Sequence, residues 1–155
     1  MEWVFIAFLA ASMIHMGEEY FYPGGFMDVM KQVNPKFTPL VTAPMAVVIN
    51  GLQLLLCLAA IAVGKNAPTF SMSVAALLFV NGLVHIVGCF RVNRYVPGVI
   101  TGTLIYIPLS AYAYQFSISS AQLTRNGFIV TMVLGLLYQA VPPVYLVVAS
   151  ALRRA

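Results

Sequence analysis

Five long apolar stretches constrain the fold of this chain of 155 residues. Each is long enough, at about 1.5 Å per residue in a helix, to cross the roughly 30 Å of hydrocarbon in a membrane. In lipid the backbone must satisfy its own hydrogen bonds, and runs of this length do so as α-helices. Charged residues make up 8% of the chain, whereas soluble domains contain about 25%. We therefore predict a single all-α domain over residues 1–155, a polytopic membrane helical bundle.

Proline and glycine set the expected ends and bends of these stretches. The predicted transmembrane helices cover residues 3–22, 39–64, 69–90, 97–116 and 126–152. A count of four helices is the alternative. The first helix should end at the break Pro23-Gly24-Gly25. Pro39 suits the first turn of the second helix, so Pro44 falls inside that helix and should kink it. Pro142-Pro143 should bend or break the last helix.

A short segment between the first two helices has amphipathic spacing. Phe26, Val29, Met30 and Val33 recur three and four residues apart and share one helical face. We expect a short interfacial helix that lies on the membrane surface. It is either an ordinary amphipathic connector or a mobile lid.

The basic residues stand singly or in pairs at the ends of the apolar stretches, which is a topology signal and not the clustered face of a nucleic-acid-binding protein. The positive-inside rule then places the N-terminus outside and the C-terminus in the cytoplasm, in a bacterial inner membrane. With five helices, one side carries Lys31, Lys36, Arg91, Arg94, Arg153 and Arg154, and the other carries Lys65 and Arg125.

The motif His15-x-x-Glu18-Glu19 ends the first apolar stretch. On a helix both glutamates lie within about one turn of His15, so the three side chains can reach one ion or one substrate atom. Two carboxylates near a helix C-terminus in a membrane are unfavourable, because the helix dipole and desolvation both oppose them. A metal ion, a protonated imidazole, a shared proton or a basic partner must compensate them.

His85 is the second of the two histidines in the chain. It lies near the end of the third predicted helix, on the same side of the membrane as the end of the first helix, so we expect the two imidazoles to meet. His15, Glu18, Glu19 and His85 are the candidate catalytic residues. A mixed set of imidazole and carboxylate ligands suits zinc or non-haem iron, and His15, Glu19 and His85 are the candidate ligands, with Glu18 as a fourth ligand or as the base.

Other polar side chains inside or beside the apolar stretches are candidates for a substrate pocket, because polar groups in lipid should point inward. Hydrogen bonding between helices is the simpler reading of the amides and tyrosines, and topology is the simpler reading of the arginines. The sharper reading of the arginines is a clamp for a lipid headgroup or phosphate. The candidate pocket residues are Asn50, Gln53, Asn81, Arg91, Arg94, Tyr95, Tyr106 and Gln139.

Three elements occur in order along the chain: His15-x-x-Glu18-Glu19, the second histidine His85, and Tyr95-x-Pro97-Gly98. In these the chain resembles the HXXEE family of integral membrane proteins, which is named for the first motif and also carries another histidine and a Y-x-P-G motif. The resemblance implies a small membrane protein with a site at these positions. It implies no reaction, because the family has no assigned activity.

The chemistry of these residues favours a small intramembrane enzyme that acts on a membrane lipid or another hydrophobic, isoprenoid-like molecule. In one version a metal assists. In the other, one of two adjacent carboxylates is protonated and serves as a general acid for an isomerase or cyclase reaction. A small cation or proton transporter or channel is the alternative, which would need polar residues continuing to the outer leaflet. An accessory membrane subunit is the third hypothesis.

Overall fold

The structure is a computed structural model, and it describes residues 2–22, 25–33 and 35–153. A π-helical segment, Gly102–Tyr106, joins α5 to α6, so residues 99–119 form one continuous helical rod. Short 3₁₀ turns occur at Pro35–Phe37 and Gly64–Asn66. The α-helices are α1 Glu2–Phe21, α2 Gly25–Val33, α3 Ala43–Val63, α4 Pro68–Val92, α5 Val99–Thr101, α6 Ile107–Ser119 and α7 Arg125–Leu152.

The all-α membrane bundle predicted from the sequence is confirmed. Within the described residues, four helices are long and apolar enough to cross a membrane: α1, Ala43–Asn66, α4 and α7. The fifth predicted stretch, residues 97–116, corresponds to the rod at residues 99–119. Many large apolar side chains of α3 and α7 are exposed, as expected for helices that face lipid.

The kink predicted at Pro44 and the first-turn position predicted for Pro39 were wrong, and of the bend or break predicted at Pro142-Pro143 the break does not occur. Pro44 lies in the first turn of α3, which begins at Ala43 after the N-cap residue Thr42, and Pro39 lies in the preceding turn. Proline is favoured in the first turn because its missing N–H has no helical partner there, so Pro44 does not kink the helix. Pro142 and Pro143 do not break α7, which continues to Leu152. Helices in membranes tolerate proline because neighbouring groups and local adjustments satisfy the freed carbonyls.

α4 is the central helix of the bundle, and residues 71–78 on it are all buried. It packs against α3, against α7 and against the rod at residues 99–119. Glycines permit the closest of these contacts. A Cβ added at Gly135 of α7 would lie 2.4 Å from the Cβ of Ala76, and one added at Gly82 of α4 would lie 2.8 Å from the carbonyl oxygen of Gly102. Small residues of this kind let transmembrane helices approach each other closely.

α2 confirms the helix that was predicted between the first two spans, and its position on a membrane surface stays a prediction. Val29 is its buried residue, and Met27 and Met30 pack against Leu40, Val41 and Leu146. At the far end of α2, Gln32 accepts a hydrogen bond from Arg94.

Consecutive long helices run in opposite directions, so the end of α1, the end of α4 and the start of α5 meet at one end of the bundle. The predicted break at Pro23-Gly24 and the basic residue Arg154 lie outside the described residues.

Candidate functional site

His15, Glu19 and His85 converge inside the bundle, as the sequence predicted. Glu19 follows His15 by one helical turn on α1, and His85 reaches both from α4. The Oε1 atom of Glu19 lies 3.6 Å from Nε2 of His15 and 3.3 Å from Nε2 of His85. The two imidazole rings pack edge to face, with centroids 4.8 Å apart. All three residues are buried, with exposed fractions of 2%, 8% and 2% for His15, Glu19 and His85.

The spacing of the three ligand atoms suits a metal ion. One atom from each of His15, Glu19 and His85 lies within 4.8 Å of the others. Nitrogen and oxygen ligands bound at about 2.0–2.2 Å in a tetrahedron are separated by about 3.3–3.5 Å. The separations of 3.3 and 3.6 Å from Glu19 are close to such edges. They exceed the roughly 2.7–2.9 Å of a hydrogen bond between an imidazolium and a carboxylate.

Among the described residues, two buried nitrogen atoms of the site have no hydrogen-bond partner. Nε2 of His15 and Nδ1 of His85 are buried and make no hydrogen bond within the described part of the chain. An unsatisfied buried polar atom costs about 1–3 kcal/mol, so such atoms call for an explanation in structure or function. A cation held between the two imidazoles and Glu19 would account for the missing hydrogen bond of Nε2 of His15, and the geometry has room for one.

Glu18, the predicted fourth ligand or base, lies outside the cluster of His15, Glu19 and His85 and has other partners. Its carboxylate accepts hydrogen bonds from the hydroxyl of Tyr95, the backbone N–H groups of Ile100 and Thr101, and the hydroxyl of Thr101. Ile100 and Thr101 lie in the first turn of the rod, where N–H groups have no partner within the helix and the dipole favours negative charge. Neutral donors therefore compensate Glu18, with no basic partner among its described contacts.

Tyr95 supplies one of these donors from the loop that follows α4. Burial, and then its hydrogen bond to Glu18, raise the pKa of the Tyr95 phenol well above the ordinary value for tyrosine. The phenol therefore keeps its proton and remains a donor to the carboxylate. This contact ties the Y-x-P-G motif to the H-x-x-E-E motif.

Gly98, the last residue of the Y-x-P-G motif, lies directly against both imidazoles. Its φ is +97°, a conformation that residues with a side chain rarely adopt. A Cβ at this position would lie 2.5 Å from Cε1 of His85 and 2.8 Å from Cε1 of His15. The motif needs glycine here for two reasons, namely the backbone conformation and the space that the two rings occupy.

A layer of buried polar side chains lies behind His15. The ring of Tyr106 stacks on the imidazole of His15, with centroids 4.4 Å apart. The amide of Gln53 donates hydrogen bonds to the hydroxyl of Tyr106 at 2.8 Å and to that of Ser12 at 3.2 Å. Of the predicted pocket residues, Gln53, Tyr95 and Tyr106 are therefore next to the cluster or in contact with residues that touch it.

The other predicted pocket residues make contacts elsewhere. Asn81 donates to Gln139 across the contact between α4 and α7, and Asn50 donates to the hydroxyl of Tyr20. Arg91 is exposed at the end of α4. Arg94 is also exposed and donates to Gln32. Asn50, Asn81 and Gln139 therefore make hydrogen bonds between helices, and Arg91 and Arg94 lie at the surface.

Three residues near the site were not predicted. Thr101 bonds both Glu18 and Nδ1 of His15, the latter at 2.8 Å. Phe26 of α2 covers His85, with ring centroids 4.9 Å apart, and Ser12 accepts from Gln53. The sequence held a signal for Thr101. Pro97-Gly98 predicts a helix start, and residues in the first turn of a helix have free N–H groups that can bind a carboxylate. Phe26 is an ordinary apolar residue of an amphipathic helix, and nothing in the sequence distinguishes it.

The comparisons with known proteins agree with the motifs. No curated protein and no solved structure matches the chain. The family described as "Protein of unknown function with HXXEE motif" matches residues 6–113, which is more than half of the chain. This region includes His15, Glu18, Glu19, His85 and the Y-x-P-G motif. The chain therefore belongs to the HXXEE family.

Proposed function

We propose that this protein is a small intramembrane enzyme whose residues His15, Glu19 and His85 bind a zinc or non-haem iron ion. The observation that carries the proposal is the buried cluster of two imidazoles and one carboxylate, with separations near those of a coordination shell. Three protein ligands are typical of catalytic metal sites, because they leave a position for water or substrate. A bound ion would supply a Lewis acid or an activated water molecule.

The version of the enzyme without a metal receives less support from the geometry. An acid–base site for an isomerase or cyclase would need a proton held between Glu19 and one of the imidazoles. The separations of 3.3 and 3.6 Å are long for such a proton-sharing contact. In addition, Glu18 is engaged by four hydrogen-bond contacts to Tyr95, Ile100 and Thr101, so it is not placed to share a proton with Glu19.

The surroundings of the cluster favour a hydrophobic substrate, such as a lipid or an isoprenoid-like molecule. The cluster lies between the membrane-spanning helices α1 and α4, below Phe26 and beside Tyr106. Apolar surroundings of this kind favour a substrate that is dissolved in the membrane. The basic residues Lys31, Lys36, Arg91 and Arg94 lie at the same end of the bundle, and under the positive-inside rule this supports a site near the cytoplasmic surface.

A proton or cation transporter is the second candidate, and one observation favours it. Buried polar side chains continue along the rod beyond Tyr106: Ser110 makes no hydrogen bond within the described residues, and Tyr114 bonds Thr131 of α7. The residues in this row are hydroxyls, however, and the ionisable cluster stays at one end. Ion flux through vesicles that contain the purified protein tests this candidate, and we expect none.

Elemental analysis of detergent-purified protein, prepared without chelator, tests the metal site. We expect near-stoichiometric zinc or iron in the parent and its loss in His15→Ala, His85→Ala and Glu19→Gln. Glu2→Gln is the matched control, because it removes an exposed carboxylate from the same helix and should keep the metal. Thermal unfolding of each variant separates loss of a ligand from loss of the fold.

A parent protein that holds no metal, even after incubation with zinc or ferrous ion, would refute the metal site and leave the acid–base version. Mass spectrometry of membrane lipids then tests the enzyme itself. We expect a lipid that is consumed or formed in membranes with the parent protein and unchanged in membranes with Glu19→Gln. Identical lipid profiles together with ion flux that Glu19→Gln abolishes would establish the transporter instead.

A further inference from the structure

A chain of hydrogen bonds leads from Glu18 through Thr101 to His15. The hydroxyl of Thr101 lies 2.5 Å from Oε2 of Glu18 and 2.8 Å from Nδ1 of His15. Each carboxylate oxygen of Glu18 also accepts from a backbone N–H, one from Ile100 and one from Thr101. Backbone N–H groups are donors only, so Glu18 acts as an acceptor in this arrangement.

The direction of the chain follows from the count of hydrogen atoms. A hydroxyl has one hydrogen to donate, and an ionised carboxylate has none. The third contact of the Thr101 hydroxyl, to the carbonyl oxygen of Gly98, is longer at 3.4 Å. Thr101 therefore donates to Glu18 and accepts from His15, which places a hydrogen on Nδ1 of His15.

We infer that Glu18 and Thr101 are positioning residues that hold the His15 imidazole in its Nδ1–H tautomer, so that the lone pair of Nε2 faces the cation site. This inference rests on the metal site proposed above. A neutral imidazole with hydrogen on Nδ1 has its lone pair on Nε2, the buried atom that lacks a partner and lies 3.6 Å from Glu19. Histidine ligands in metal proteins commonly donate their second N–H to another group, which fixes the tautomer and the ring orientation.

His85 provides a contrast within the same site. Its Nδ1 makes no hydrogen bond among the described residues, and its ring is held by contacts with Phe26 and Gly98. Its Nε2 lies 3.3 Å from Oε1 of Glu19, so in the metal-free protein the tautomer of His85 depends on Glu19 and not on Thr101. A change at Thr101 should consequently alter the tautomer of His15 and leave that of His85 unchanged.

Nuclear magnetic resonance of protein with ¹⁵N-labelled histidine, free of metal and in detergent micelles, measures the tautomer of each imidazole directly. We expect the parent to show a single Nδ1–H tautomer for His15. Thr101→Val has a similar shape but no hydroxyl, and it should give a mixture of tautomers. Thr101→Ser restores the hydroxyl and should restore the single tautomer. Thr103→Val, at an exposed threonine two residues further on, is the matched control.

Zinc affinity, measured by competition with a chromophoric chelator, is the second readout. Loss of an outer-shell partner typically weakens metal binding about 10–100-fold, and we expect a loss in this range for Thr101→Val, with recovery in Thr101→Ser. An Nε2–H tautomer in the parent, or a tautomer unaffected by Thr101→Val, would overturn the inference whatever the metal content. A parent with the expected tautomer but no affinity for zinc or ferrous ion would refute the metal site alone.

Discussion

Replacing Gly98 by alanine should disrupt the site by pushing the two imidazoles apart. The new Cβ would lie 2.5 Å from Cε1 of His85, 2.6 Å from its Nδ1 and 2.8 Å from Cε1 of His15. Carbon atoms in contact are separated by about 3.5–4.0 Å, so the rings or the loop must move by about 1 Å. Metal sites tolerate deviations of only about 0.2 Å in ligand distance. We therefore expect zinc affinity to fall at least tenfold in Gly98→Ala.

The same substitution also strains the backbone, and a second glycine separates the two effects. A side chain at a positive φ costs about 1–3 kcal/mol. Gly64 has a φ of +48°, and a Cβ there would meet no heavy atom within 4 Å. Gly64→Ala should therefore lower the thermal stability by a similar amount and keep the zinc affinity of the parent.

Competition with a chelator for zinc, together with thermal unfolding of both variants in the same detergent, checks this prediction. The reasoning fails if Gly98→Ala binds zinc as the parent does, because the rings would then not depend on the space that the glycine leaves. It also fails if both variants lose zinc equally, since strain alone would then account for the loss.

Two further substitutions test the packing of α7 on α4 and the cover of the site by Phe26. Gly135→Ala places a Cβ 2.4 Å from that of Ala76, and such overpacking should lower the free energy of unfolding by about 1–3 kcal/mol, with zinc retained in the folded protein. Gly51→Ala is the control, because a Cβ there would meet no heavy atom within 4 Å. Equal melting temperatures for the two variants would contradict the prediction. Phe26→Ala uncovers His85 and should speed zinc release to a chelator in stopped-flow measurements. Phe21→Ala is the control, because Phe21 is 89% exposed, and it should leave the release rate unchanged. Equal release rates for the two variants would show that Phe26 does not cover the site.

The similar depth of His15 and His85 was predictable from the sequence, whereas their contact also requires α1 and α4 to pack side by side. Each histidine lies a few residues from the end of an apolar stretch, and in antiparallel spans those two ends share one side of the membrane. The position of Glu19 beside His15 follows from the same helix geometry, since Glu19 stands one turn from His15. Predictions of this kind need only the helical repeat and the alternation of spans.

The roles of the two glutamates were not predictable, because they depend on which helix packs beside α1. Residues one apart on a helix point about 100° from each other, so Glu18 and Glu19 can both neighbour His15 and still face different partners. The start of the rod at Ile100 and Thr101 provides the donors for Glu18. The π-helical segment that precedes Pro108 and positions Tyr106 has no simple sequence signal either. Both features arise from contacts between helices, which cannot be read from the helical repeat and the alternation of spans.

The charges of the two glutamates together match those of one divalent cation. Buried charge in a membrane costs several kcal/mol unless it is compensated nearby. A divalent ion held by His15, Glu19 and His85 would carry two positive charges, and Glu18 and Glu19 would carry two negative ones, so the loaded site would be neutral overall. Glu18 would contribute its charge through Thr101 and His15, without occupying a coordination position. If the proposed metal site holds, the two adjacent glutamates of the motif would have separate roles, with Glu19 as a ligand and Glu18 as a balancing charge behind His15.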